Sequence, residues 1–276
     1  MVERNLAESR SLAQRLVMAG QVRVDNEVVL KASTQIQESS NIEIKWGPQF
    51  VSRGGDKLAA ALKAFPIQIK GKVCADVGAS TGGFTDCLLQ SGARRVYAVD
   101  VGKGILHWSL RTDDRVVVLE GTNARYLERL PEPIDMATVD VSFISLKIIF
   151  PVLRRWFNFQ GSKLGDQISE QCSLIALIKP QFEVGRTLAA RGDGVIRDPV
   201  LHQQVLHEIL SSAQLEGYQI RGLIQSPLLG PKGNIEFLVW LMASEHILAQ
   251  PDEISMERLI SDLFNVDHSE EYQTAH

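Results

Sequence analysis

Seven short apolar runs recur along the chain, at about residues 73–78 (VCADVG), 96–100 (VYAVD), 115–120 (RVVVLE), 135–140 (DMATVD), 173–179 (SLIALIK), 218–225 and 235–242, and helical patterns lie between most of them. Strands that are apolar at successive positions are covered on both faces, and strands alternating with helices build a parallel sheet. The pattern therefore predicts an α/β fold with a parallel sheet of these seven strands, covered on both faces. Ligands of such folds bind beyond the carboxyl ends of the strands, so function is expected there. The polar, aperiodic stretch NFQGSKLGDQISEQ before the fifth run reads as a surface insertion.

At 276 residues the chain exceeds the ~100 to 150 usual for one domain, which points to one large domain or to a medium one joined to a small one. In SRSLAQRLVMAG, Ser9 is placed to cap a helix, Leu12, Ala13, Leu16, Val17 and Ala19 share one face, and Gly20 is a natural stop. QVRVDNEVV then alternates around an Asp25-Asn26 turn, and NIEIKW alternates through Ile42, Ile44 and Trp46, giving a small helix-plus-hairpin unit. Arg10, Arg15, Arg23 and Lys31 cluster locally in it, and two readings stand, a phosphate-binding face or an ordinary solvated one. The expected division is 1–48, 49–245 and a C-terminal tail at 246–276.

The net charge of −4 argues at first against a nucleic-acid partner, but from Glu245 onward eight acids face one base, Arg258, so the tail is −7 and the first 244 residues are +3. A mildly basic body with an acidic tail leaves nucleic acid open. No run approaches the ~20 apolar residues that span a bilayer, and MVERNLAESR has no signal-peptide pattern; a cytoplasmic protein with no membrane partner is expected. Cys74, Cys87 and Cys172 lack the pair spacings of metal or redox motifs and read as reduced core thiols, with no metal.

The first run ends in DVGASTGGFTD, where Gly78, Gly82 and Gly83 let the backbone approach a ligand and the following helix aims its N-terminus at the same place. The spacing is not the Gly-x-Gly-x-x-Gly of dinucleotide enzymes, and Asp76 would repel a pyrophosphate while favouring a cationic cofactor such as S-adenosylmethionine. A dehydrogenase is the weaker alternative. Asp100 ends the second run, where a carboxylate accepts ribose hydroxyls. Asp140, Lys179 and Glu236 stand at the ends of three more runs, either as a shared site or as a structural ion-pair network. Upstream, VSRGGDKL sets Gly54 and Gly55 between Arg53 and Lys57, which by itself reads as a flexible joint.

VSRGGDKL with DVGASTGGFTD and VYAVDVG, then VDVSFISL, then IKPQFEVG, GVIRDP and GPKGNIEFLVWL, resemble the TlyA family of ribosomal RNA 2′-O-methyltransferases, from Val2 to about Met242. The resemblance implies a small α+β RNA-binding domain of the S-four type, N-terminally shortened, ahead of a Rossmann-like class I methyltransferase domain of the FtsJ type with a mostly parallel seven-stranded sheet. It implies S-adenosylmethionine as cofactor, ribosomal RNA or ribosomal subunits as partner, and cytidine of 16S or 23S rRNA as the target. The family's Lys-Asp-Lys-Glu catalytic set falls on Lys57, Asp140, Lys179 and Glu236. Its cofactor-binding residues fall on Asp76, Gly78, Ser80, Thr81, Gly82, Gly83, Phe84 and Asp100. Asn123 stands where related enzymes bind adenine, with a loop-stabilising role as the alternative, and Arg53 joins Arg10, Arg15, Arg23 and Lys31 as RNA-binding cations.

Methyl transfer to a 2′-hydroxyl is an in-line displacement needing a positioned nucleophile and loss of its proton. A lysine, with an ordinary pKa near ~10.4, acts as a neutral base only if a neighbour lowers that value. Lys57 and Lys179 are candidates to do this to each other, while Asp140 and Glu236 oppose it and orient the amines. Lys179 is read as the base or hydroxyl-orienting group, and Gly54-Gly55 as the turn delivering Lys57. In the connection after Lys179, Phe182, Arg186 and Arg197 are placed either to contact RNA or simply to pack and be solvated. ISMERLISDLF in the tail has an amphipathic pattern through Met256, Leu259, Ile260 and Leu263. The competing functions are a non-catalytic RNA-binding or ribosome-assembly factor, and a membrane-active haemolysin, for which no spanning or strongly basic amphipathic helix speaks.

Overall fold

The computed structural model describes residues 1–45, 47–159, 172–184, 194–243 and 255–265. The chain divides into two compact units, Met1–Gln49 and Phe50–His276.

In the first unit, Ser9 caps helix α1 (Arg10–Met18) by accepting a hydrogen bond from the Leu12 amide at 3.2 Å, and Gly20 takes the left-handed conformation just past its end. Strands β1 (Val22–Val24) and β2 (Glu27–Val28) form a hairpin whose turn residues, Asp25 and Asn26, both have positive φ. Strand β3 (Ile42–Ile44) pairs antiparallel on the other side of β1. The core is small, built on Ala7, Leu16, Val17 and Val22. Ala19, expected on the buried face, is exposed because the helix ends at Met18 and leaves Ala19 as its C-cap. Trp46 lies outside the described residues.

The second unit is built on a sheet of β4 (Val73–Val77), β5 (Arg95–Asp100), β6 (Val116–Glu120), β7 (Met136–Val139), β8 (Cys172–Ile178), β9 (Tyr218–Gln225) and β10 (Phe237–Ala243). Its order is β6-β5-β4-β7-β8-β10-β9, and only β10 runs against the rest. Each of the seven apolar runs forms one strand. β4, β7 and β8 are buried at every residue, as their unbroken apolar sequences require, whereas β6 at the sheet edge is half-buried. Helices α2 (Gly54–Ala64) and α3 (Gly83–Gln90) cover one face over Leu58, Leu88 and Met136. The single turn α4 (Trp108–Arg111) packs there through Leu110.

The other face is covered by α5 (Leu146–Arg154), α7 (Pro199–Leu215) and α8 (Met256–Asn265) over Phe150, Leu206 and Trp156. Between them lies α6 (Pro180–Glu183), a single turn directly after β8. In α8 the expected stripe is realised: Ile260 is buried, with Met256, Leu259 and Leu263 packed beside it. No α-helix links β6 to β7 among the described residues; a 3₁₀ turn, Ala124–Tyr126, lies on that connection. The polypeptide leaves β4 toward β5 on one side and meets β7 on the other, so the strand order reverses at β4, which is where such sheets open a crevice at their carboxyl ends. The stretch 160–171 of the expected insertion lies outside the described residues.

Candidate active site

Lys57 sits in the first turn of α2, and Gly54 and Gly55 open that helix rather than forming a joint before it. A side chain on Gly55 would overlap the Phe50 ring, and one on Gly83 would lie 2.7 Å from the Gly55 amide nitrogen. The glycines therefore serve the close approach of the α2 and α3 N-termini, and that approach sets Lys57 above the glycine loop. Lys57 Nζ lies 2.5 Å from Glu236 Oε2, a carboxylate with no exposed surface. Glu236 immediately precedes β10. Because β10 is antiparallel and pairs Phe237 with Ile178, its first residue lies at the end where β8 finishes.

Lys179 follows β8, and its Nζ is 2.6 Å from Asp140 Oδ1, donates to Ser142 Oγ at 3.2 Å and lies 5.7 Å from the centre of the Phe182 ring. Asp140 follows β7. All four residues line one cavity of about 370 Å³, together with Ser52, Arg53 and the glycine loop. Each amine faces its own carboxylate, Lys57 that of Glu236 and Lys179 that of Asp140. Breaking such a pair by removing one partner leaves a buried charge unmatched, at a cost of about 3–5 kcal/mol.

A second cavity of about 270 Å³ shares Gly78, Ser80 and Asp140 with the first and extends past Asp100, Val101, Thr122 and Asn123 to Ser142 and Phe143. Gly78 has φ +84, and a side chain there would overlap the Asp140 carbonyl oxygen, so only glycine fits. Asp100 is fixed from both sides, its Oδ2 accepting from the Ser80 amide at 2.8 Å and its Oδ1 from the Gly102 amide at 2.7 Å. Asn123 does both things open to it: it lines the cavity, and its Oδ1 caps the 3₁₀ turn by accepting from the Arg125 amide at 3.0 Å. Thr81, Gly83 and Phe84 line the first cavity.

Two expected loop residues are placed elsewhere. Asp76 lines neither cavity; it is wholly buried in β4 and accepts hydrogen bonds from Thr85 Oγ1 at 2.7 Å and Thr138 Oγ1 at 3.0 Å. Burial pushes its carboxyl up to about 7, against the lowering effect of the two threonines. Gly82, at φ +99, also faces away from both cavities, and a side chain there would overlap Leu110. Sequence reading missed Ser52, Ser142, Phe143 and the 228–231 loop. Phe143 is 90 % exposed, holds φ +65, and its ring centre lies 4.7 Å from that of Phe182. A bulky residue at positive φ is uncommon and strained. In VSFISL its aromatic character passes for one more core position.

Of the proposed RNA-binding cations, Arg10 and Lys31 border a cavity of about 430 Å³ in the Met1–Gln49 unit, floored by Val17, Val22 and Ile42. Arg15 is exposed and donates to Ser11 Oγ at 3.3 Å, while Arg23 is half-buried on β1. Arg53 belongs to the 370 Å³ cavity instead. Arg197 is exposed, and Arg186 lies outside the described residues. The three thiols are buried, with Cys74 and Cys87 pushed up to about 12 mainly by burial. Among the described residues no helix is long and apolar enough to cross a membrane, and no group of three His, Cys, Asp or Glu is placed to hold a metal.

The FtsJ-like methyltransferase family profile matches residues 50–243, and the S4 domain profile matches residues 1–42. The chain is 41 % identical over 268 residues to the 16S/23S rRNA (cytidine-2′-O)-methyltransferase TlyA of Mycobacterium tuberculosis, covering 95 % of this chain and 96 % of that one. It is 40 % identical over 234 residues to Hemolysin A of Brachyspira hyodysenteriae, covering 84 % of this chain and 92 % of that one. A solved structure from Streptococcus thermophilus superposes with a TM-score of 0.69 at 38 % identity, over 93 % of this chain and 90 % of that one.

Proposed function

The chain belongs to the TlyA family, which joins an S4 domain to an FtsJ-like methyltransferase domain, and on that premise we propose that it methylates a ribose 2′-hydroxyl of ribosomal RNA, at a cytidine of 16S or 23S rRNA, using S-adenosylmethionine. The observation that carries this reading is the convergence of the pairs Lys57–Glu236 and Lys179–Asp140 in one cavity beside the glycine loop. The residues of the adjoining cavity suit the cofactor. Asp100 presents a fixed carboxylate for the ribose hydroxyls, Asn123 borders the adenine position, and Gly78 leaves the strand end open to close approach. The cofactor supplies a methyl group carried on a sulfonium.

The protein's part is to hold the attacking hydroxyl in line and to manage its proton. Lys179, steered by Asp140 and Ser142, is assigned to that hydroxyl as base or orienting donor, and Lys57 with Glu236 positions the opposite side of the cleft. The exposed Phe143, with the half-buried Phe182 behind it, offers a face on which a nucleobase stacks, as unpaired RNA bases do on aromatic side chains. The S4 unit adds RNA affinity through Arg10 and Lys31, and a ribosomal substrate places the protein in the cytoplasm. The test is transfer of tritiated methyl from S-adenosylmethionine to purified ribosomal subunits by the wild-type protein, Lys57→Ala and Lys179→Ala. The expected result is incorporation that falls at least about a hundredfold in Lys179→Ala with cofactor affinity retained. Wild-type single-turnover rates in a folded Lys179→Ala protein would remove the assignment.

A further inference from the structure

We propose that Gln181 is a positioning residue for methyl transfer, acting through Glu236, and that residue 230 is a glycine so that the carboxylate Gln181 holds has room. The proposal rests on the reading of Lys57 and Glu236 as catalytic. Gln181 lies in α6, two residues after Lys179, with its side chain buried. Its Nε2 donates to Glu236 Oε1 at 3.2 Å, leaving Oε2 to Lys57 at 2.5 Å. A neutral amide is suited to this place. It satisfies the second oxygen of a buried carboxylate without competing with Lys57 for the charge, as a second cation would. The same short turn that starts from Lys179, the partner of Asp140, thus delivers the donor that steadies Glu236, and so couples the two ion pairs. Gln181 Oε1 has no hydrogen-bond partner among the described residues, so an apolar side chain would serve packing at least as well; the amide is explained by its donor.

Gly230 bounds the carboxylate from another side. Its backbone angles, φ −71 and ψ −175, are open to any residue, so glycine is not demanded by conformation. A side chain there would overlap Glu236 Oε1. The loop carrying it is held firmly: the Gly230 amide donates to the Asn234 carbonyl at 2.8 Å, and the buried Asn234 side chain donates to the carbonyls of Gly194 and Pro231, each at 2.9 Å, and accepts from the Ile196 amide at 3.0 Å. An added methyl would therefore displace the carboxylate rather than the loop.

The experiment uses the full chain and measures single-turnover methyl transfer to ribosomal subunits, together with the Kd for S-adenosylhomocysteine, for Gln181→Leu and Gly230→Ala, each alone and combined with Glu236→Gln. Each single variant is expected to slow transfer about tenfold or more with the Kd within about twofold of wild type, and to add no more than about twofold in the Glu236→Gln background. Gly230→Ala keeps Gln181 and an allowed backbone and so tests the room around the carboxylate, while Gln181→Met, close in shape but without the amide donor, replaces Gln181→Leu with the same expectation if that variant fails to fold. Losses that multiply in the Glu236→Gln background, or wild-type rates in Gly230→Ala, overturn the proposal alone. A wild-type rate in Glu236→Gln removes the catalytic reading beneath it, and the proposal with it.

Discussion

Replacing Asp76 with Asn should stabilise the methyltransferase unit at pH 8 and remove part of its pH dependence. Asp76 has no exposed surface, and burial raises its carboxyl from 3.8 to about 7 despite hydrogen bonds from Thr85 and Thr138. Between about pH 4 and pH 7 the folded protein keeps a proton that the unfolded chain has released, so stability falls as pH rises through that window and is level above it. At about 1.36 kcal/mol per pKa unit, the gap between 3.8 and about 7 amounts to about 4 kcal/mol above pH 7. Asparagine carries no charge to desolvate, and it can still accept from one threonine while donating to the hydroxyl oxygen of the other. The assay is urea unfolding of both proteins, followed by tryptophan fluorescence, to which the buried Trp156 contributes. The stability gain of Asp76→Asn should grow by about 1.4 kcal/mol per pH unit below 7, about 3 kcal/mol between pH 5 and pH 8. A gain or loss that is the same at pH 5 and pH 8 refutes the reasoning, because a packing effect has no such pH dependence.

Gly78→Ala should abolish measurable S-adenosylhomocysteine binding by calorimetry, since the new methyl meets the Asp140 carbonyl at a φ of +84. Phe143→Gly should raise stability by about 1 kcal/mol by relieving the left-handed strain, while weakening RNA methylation through a higher KM for the RNA. Thermal unfolding reads the first effect, and steady-state kinetics at saturating S-adenosylmethionine read the second. Ile260→Ala should cost about 2–4 kcal/mol, read from the urea midpoint, because Ile260 is the buried residue that seats α8 on the sheet's helical face.

Much of the fold was legible because its signals are local. An unbroken apolar run bounded by turns announces a strand buried on both faces, and all seven were placed within about two residues. The cap at Ser9, the stop at Gly20 and the apolar stripe of α8 are likewise short-range patterns that the structure realises. The proposed catalytic set was reached through strand-end charges and family motifs, but its pairing was not. Lys57 and Glu236 are 179 residues apart, and nothing local says that they meet.

Asp76 shows the same limit from the other direction. It is two residues before a glycine loop, yet its side chain points between β4, β7 and α3 rather than into the cavity. Gly54 and Gly55 look like a hinge in isolation, and only the Phe50 ring and the backbone approach of Gly83 show Gly55 to be a close contact at the start of α2. The strands, the loop and the residue types of the site were thus determined by the sequence alone, through periodicity and backbone preference. Tertiary structure decided that β10 runs antiparallel, which brings Glu236 to the end where β8 finishes, to Lys57 and to Gln181. Strand direction and charge pairing depend on the packing of distant segments, and a window of a dozen residues contains no information about which segment will arrive.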